Sequence, residues 1–212
     1  GIRDDYRCLV VGVERGDGNL IRPDVNMIFC EGDVREFDYF NFFADKSSRL
    51  KINVYPPFEG QSAPDKLLEN ADLILKQDIN SKTDEIWFVI DTDRWEIRDF
   101  IKKCKQKKHE VVVSNPSFEV WLYFHVEDKL PKKRNFNLKE YLNKRIKGGF
   151  DSNIHPLLIE TAIDNSRRNF KGNQQFPEIN STSVFYLGEK IFALTKKLDK
   201  SMKYIAFHSR TC

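Results

Sequence analysis

The chain has 212 residues, 40% hydrophobic and 13% aromatic, with 32% charged and a formal net charge of +3. That is enough apolar material for one substantial core, and no apolar run is long enough to span a bilayer. No signal peptide is expected at Gly1. The cysteines Cys8, Cys30, Cys104 and Cys212 form neither a CxxC nor a zinc spacing, a usage that suits a reducing, cytoplasmic setting.

Residues 1–24 read as an N-terminal extension, with an edge strand or hairpin at 6–13 before a turn-rich segment. Residues 25–30 form the first strand. It runs into Glu31-Gly32, where a glycine permits a tight turn and close approach by a ligand. An aromatic-rich helix is predicted from Arg35 to about residue 49. Lys51-Ile52-Asn53-Val54-Tyr55 alternates and stops at two prolines, as a strand near an edge does. A helix with Pro64 in its first turn follows, with apolar positions that include Leu67, Leu68, Ala71, Leu73, Ile74 and Leu75, and the turn at Ser81-Lys82-Thr83 ends it.

Residues 86–90 are five apolar residues in a row, the signature of a strand buried on both faces. They end in Asp91-Thr92-Asp93. On an extended backbone the residues i and i+2 share a side, so both carboxylates would reach one cation. The competing reading makes Asp93 the cap of a helix starting near Trp95. That helix should run to about residue 107 and bury Ile97, Phe100, Ile101 and Cys104. Residues 110–114 are the fourth strand. Pro116 disfavours helix at Asn115, and a helix starting near Ser117 would carry Glu119 in its first turn. There Glu119 either complements the helix dipole or adds a carboxylate to the site.

Strands alternating with helices define an α/β fold, a mainly parallel sheet of about four strands flanked by helices. Its carboxyl edge would collect Glu31, Asp91, Asp93 and Glu119. No strand is predicted beyond His125. Helices are expected at 138–146, at 154–170 and from about residue 183 to 198, with a polar loop at 172–180. The organisation expected is an extension (1–24), an α/β core (25–128) and a basic helical region packed on it (129–212). Residues 1–128 carry 18 Lys and Arg against 25 Asp and Glu, whereas residues 129–212 carry 17 against 7, with Lys132-Lys133-Arg134, Lys144-Arg145, Arg167-Arg168, Lys171 and Lys196-Lys197 supplying the basic bias. An acidic site beside a basic half suits an enzyme acting on a phosphate polymer. The histidines are scattered, and His125 reads as a packing or hydrogen-bonding residue.

Three segments carry a resemblance. Cys30-Glu31-Gly32 with Glu36 and Tyr39-Phe40 is the first; Val89-Ile90-Asp91-Thr92-Asp93-Arg94-Trp95 is the second; Ser114-Asn115-Pro116-Ser117-Phe118-Glu119-Val120-Trp121 through His125 is the third. Together they resemble the RloB-like family of the topoisomerase–primase (TOPRIM) superfamily. The chain departs from that pattern at Asp33-Val34-Arg35, where relatives often have a basic-Thr pair before Glu36. The resemblance implies a Rossmann-like TOPRIM sheet and a divalent metal held by Glu31, Asp91 and Asp93, with Glu119 a plausible addition. It also implies a role in bacterial anti-phage or abortive-infection defence beside an ATPase partner. All-oxygen ligands select Mg²⁺ or Mn²⁺ over zinc. The expected activity is a metal-dependent nuclease acting on DNA or RNA, transfer RNA included. The alternative is a non-catalytic metal- or nucleotide-binding component of a defence complex. A primase- or topoisomerase-like transferase is disfavoured, because no zinc-binding segment accompanies the acids.

Overall fold

A computed structural model describes residues 24–32, 34–44, 46, 50–58, 61–77, 85–130 and 137–195. The strand expected at 6–13, the turn at 81–83, the lysines at 132, 133, 196 and 197, and the end of the last helix lie outside them.

The elements are β1 (Asp24–Cys30), α1 (Arg35–Asn41), β2 (Leu50–Tyr55), α2 (Pro64–Gln77), β3 (Glu85–Asp91), α3 (Arg98–Gln106), β4 (Glu110–Asn115) and α4 (Glu119–Tyr123). Then come α5 (Leu138–Arg145), a 3₁₀ turn (His155–Leu158), α6 (Ile159–Asn169), β5 (Ser181–Thr182) and α7 (Val184–Thr195). The sheet runs β2-β1-β3-β4-β5. The first four strands are parallel, and β5 pairs antiparallel with β4. From β1 the chain crosses to one side to make β2 and to the other to make β3. Its topological switch point therefore lies between β1 and β3.

Both faces of the sheet are covered, so the central strands bury apolar residues on both sides rather than at alternate positions, with Asn26 and Ser114 the buried polar residues of β1 and β4. Met27, Phe29, Phe88, Ile90, Val111 and Val113 pack on one side against α2 and α3. Ile28, Cys30, Ile52, Trp87, Val89 and Val112 face the other side, against α1, α4, α5, α6 and α7. Each buried Val, Ile or Phe contributes roughly 1.5–3 kcal/mol of transfer free energy. The helices of the basic half thus share one core with the sheet. Gly188 of α7 allows this close packing: a Cβ there would stand 3.0 Å from Trp121 Cη2 and 3.3 Å from Ile163 Cγ1. Cys30 and Cys104 are free and buried.

The structure corrects five expectations. Among the described residues the sheet has five strands, where about four were expected. β5 is only two residues long, too short to show a period. Its place is set by Asn180 N–H donating to Asn115 O (2.7 Å), Ser183 N–H to Val113 O (2.8 Å) and a Ser114–Thr182 hydroxyl pair at 2.9 Å. Helix α1 ends at Asn41, where i→i+3 bonds from Phe43 and Ala44 tighten the chain and send Phe43 into the core. Leu73, expected on the apolar face of α2, is exposed. The helix expected at 154–170 begins as a 3₁₀ turn containing Pro156. Finally, α3 begins at Arg98, so Trp95 lies in the turn before it. Ile97 occupies the N-cap without a side-chain hydrogen bond. Asp93 is therefore not the cap of that helix.

Candidate functional site

β1 and β3 are neighbours in register, with Cys30 opposite Val89. Their ends therefore bring Glu31 and Asp91 together across the switch point, where an open α/β sheet leaves a crevice. The backbone turns away after each strand. Glu31 N–H still bonds Val89 O (3.1 Å), and Thr92 N–H is shared between Ser114 O and Pro116 O, each at 3.1 Å.

A cavity of about 460 Å³ opens at this edge. Glu31, Glu36, Asp91, Asp93 and Glu119 line it together with Gly32, Arg94, Pro116 and Ser117. Asn137, Leu138, Lys139 and Asn180 line it as well. All four acids expected from the sequence, Glu31, Asp91, Asp93 and Glu119, therefore border one space. Glu36, read as either a structural or a functional residue, joins them. Arg94, Asn137, Lys139 and Asn180 had no sequence signal as site residues. They come from a turn, a loop and the start of α5, whose positions depend on tertiary packing.

The carboxylates differ in their partners. Glu31 is buried. Its Oε2 accepts the Asp91 N–H at 2.9 Å and its Oε1 accepts the Trp95 indole N–H at 2.7 Å. Burial pushes its pKa up against these two bonds, and the Asp93 charge pushes the same way. Asp91 is also raised, first by burial and then by the charges of Glu36 and Glu31, while the Phe118 N–H pulls it down. Glu36 is raised to about 7 by burial, with Glu119 and Glu31 adding repulsion. Glu119, in the first turn of α4, accepts from Arg35 Nη1 at 3.1 Å. Among the described residues Asp93 has a loose contact with Arg94, at 4.0 Å.

Uncompensated negative charge in a partly dry crevice is what a hard cation relieves. In its donor chemistry the site suits Mg²⁺ or Mn²⁺. The ligand geometry is a different matter: among the described residues, no three His, Cys, Asp or Glu side chains are gathered as a group that could hold a metal. The partners explain part of this. Glu31 is held by two N–H donors and Glu119 by an arginine, so these acids are fixed towards the protein.

His125 is apart from the site chemistry. It is fully buried. Nδ1 lies 3.0 Å from the Trp121 carbonyl, which can only accept, so Nδ1 carries the proton. Nε2 pairs with the Tyr39 hydroxyl at 3.0 Å. The ring thereby joins α1 to the end of α4, the hydrogen-bonding role expected from the sequence.

An open, mainly parallel α/β sheet with helices on both faces and a carboxylate-lined crevice at its switch point defines a domain of the doubly wound class. The chain belongs to the RloB-like protein family, whose sequence profile matches residues 26–191. That span includes every residue lining the crevice. Neither the curated proteins nor the solved structures yield a match to the chain. Among the described residues, no helix is long and apolar enough to cross a membrane.

Proposed function

We propose that this RloB-like chain is a TOPRIM-type, metal-dependent nuclease that hydrolyses phosphodiester bonds of DNA or RNA, transfer RNA included. Its setting in this reading is bacterial anti-phage defence in the cytoplasm, beside an ATPase partner. One observation carries the reading: Glu31, Asp91, Asp93 and Glu119 converge from β1, β3 and α4 on a single crevice that also presents Arg94 and Lys139. Acids alone would repel a phosphodiester, and cations alone would only bind it. The combination suits holding a metal and a polyanion together.

Glu31, Asp91 and Asp93 would hold Mg²⁺ or Mn²⁺, with Glu119 an additional donor. When bound, such an ion supplies charge neutralisation on the phosphodiester. The remaining work falls to the chain. Arg94 and Lys139 hold the substrate phosphate by charge. The Asp91 N–H and the Trp95 indole fix the orientation of Glu31. Where Asp91 and Asp93 hold the ion without it, Glu31 would instead take a proton from an attacking water. The water oxygen forms the new bond to phosphorus, one P–O ester bond breaks, and the leaving oxygen takes a proton from solvent.

A second reading has a specific observation in its favour. The acids are not gathered into a ligand set, and Glu119 is already paired with Arg35. A non-catalytic component that binds a metal or nucleotide would tolerate this. One screen separates the two. Single-stranded DNA, duplex DNA and RNA are incubated with the protein in Mg²⁺, Mn²⁺ or chelator, with and without the ATPase. Metal-dependent cleavage that Glu31→Ala and Asp91→Ala each abolish supports the nuclease. Cleavage that survives both substitutions would sink the assignment of the reaction to these acids, and inactivity under every condition, with or without the ATPase, favours the alternative.

A further inference from the structure

The chain has three tryptophans, and they are treated differently. Trp121 is 0% exposed and Trp87 is 7% exposed, as large aromatic side chains in a core should be. Trp95 is 37% exposed, in the turn between β3 and α3. It is nevertheless tethered, since its indole N–H donates to Glu31 Oε1 at 2.7 Å. Among the described residues no other ring packs on it. The result is a flat apolar face held open at the lip of the acidic crevice, with little rotamer freedom left to lose on binding.

Its neighbours in sequence carry both signs of charge, Asp93, Glu96 and Asp99 beside Arg94 and Arg98. Arg94 and Arg98 flank it in sequence, and their side chains are 69% and 80% exposed. Each has one long ion pair in solvent, Arg94 to Asp93 at 4.0 Å and Arg98 to Glu96 at 3.6 Å. Such pairs hold a guanidinium weakly. The Arg98 guanidinium lies 6.0 Å over the ring of Phe176, which is itself exposed, as is Ile179. Both belong to the loop that ends at Asn180, a residue of the crevice wall. That loop is pinned to β4, where Asn115 Nδ2 donates to Pro177 O at 2.9 Å and Asn180 N–H to Asn115 O at 2.7 Å. Apolar faces beside arginines fit a ligand that is flat on its faces and anionic along its backbone.

We propose that Trp95, with Arg94 and Arg98 near it in sequence and Phe176 under the Arg98 guanidinium, is a stacking platform for an unpaired base, and that the substrate is therefore single-stranded or looped nucleic acid rather than duplex. This rests on the nuclease reading of the crevice and adds the substrate class to it. In a duplex the bases already stack on one another and cannot offer a face to the indole. An unpaired base can do so whatever its identity. The hydrogen bond to Glu31 ties the platform to the acids, so a base on Trp95 would leave its adjoining phosphate at the mouth of the crevice.

The test reads binding, not cleavage. The full chain is titrated in chelator with a single-stranded DNA of about 12 nucleotides, the RNA of the same sequence, and the annealed duplex. Affinity is followed by anisotropy and stacking by intrinsic tryptophan fluorescence. The expected result is quenching by the single strands, with the duplex bound at least roughly tenfold more weakly. Trp95→Phe keeps a stacking face and should bind within about threefold of wild type while losing the quench. Trp95→Leu keeps apolar bulk without the face and should bind roughly 5- to 100-fold more weakly. Phe176→Ala should weaken binding and retain the quench.

Equal quenching by duplex, no quench by either single strand, or undiminished affinity in folded Trp95→Leu would each overturn the proposal. A protein partner as the true occupant of this surface would give the second of these outcomes. Binding with the quench but no cleavage in metal defeats the nuclease reading alone; cleavage without the quench defeats this inference alone.

Discussion

The Glu36 carboxylate fills the space that a side chain on Gly32 would need: a Cβ at position 32 would stand 1.9 Å from Glu36 Oε2. The glycine thus serves the site by making room for a carboxylate from the first turn of α1. The obstruction is the end of a flexible side chain, so Gly32→Ala should fold and displace Glu36. We expect a shift in Tm of no more than a few degrees, roughly 1 kcal/mol, with a marked loss of Mn²⁺ affinity by calorimetry. Unchanged Mn²⁺ binding would detach Glu36 from the site.

Glu36 also sets a pH dependence of stability. Its folded-state pKa is raised from 4.5 to about 7, so between these values the folded protein holds more protons than the unfolded chain. By linkage, stability falls as pH rises through this window, and this group contributes on the order of 3 kcal/mol to the fall. Asp91 and Glu31 are raised as well and act with the same sign. Urea unfolding in chelator at about pH 5 and about pH 8 should show the decline. Glu36→Gln should flatten it. A wild type whose stability rises over that range would contradict the account.

Arg35 and a cation compete for Glu119. The Arg35–Glu119 pair is 3.1 Å long, and the arginine side chain is one-third exposed. Arg35→Ala should therefore cost little stability, within about 1 kcal/mol. It should also free Glu119 and raise Mn²⁺ affinity several-fold. If Arg35→Ala binds Mn²⁺ no more tightly than wild type in the same titration, Glu119 is not a donor.

The loop that brings Asn180 to the crevice turns at Gly172, where φ is +95° and a Cβ would meet Phe176 O at 2.5 Å and Glu178 N at 2.9 Å. Here backbone, not a movable side chain, stands in the way. Gly172→Ala should cost about 1–3 kcal/mol, which lowers Tm by several degrees in a chain of this size. An unchanged melting curve would mean that the loop is not held as described.

Legibility in the sequence followed the range of the interaction. β1, β3 and β4 show through the apolar runs 27–30, 86–90 and 111–113, because burial on both faces of a parallel sheet imposes that pattern locally. Glu31 and Asp91 follow those runs directly, so their arrival at one edge could be read once the strands alternated with helices. The apolar face of α3 was legible for the same reason, Phe100, Ile101 and Cys104 falling on one side of a 3.6-residue repeat. β5 was not, since two residues carry no period.

By itself, then, the sequence determined the parallel α/β core, the acids at its strand ends and, through three short motifs, the RloB-like resemblance that the family match supports. Only the tertiary structure decided what each acid touches. Glu31 meets the Trp95 indole 64 residues away, Glu119 meets Arg35 across 84 residues, and Asn180 reaches the crevice by pairing with β4. Strand burial leaves its trace along a few consecutive residues. Hydrogen bonds and ion pairs between distant segments leave none, because any of several polar residues could meet the same partner until packing selects one.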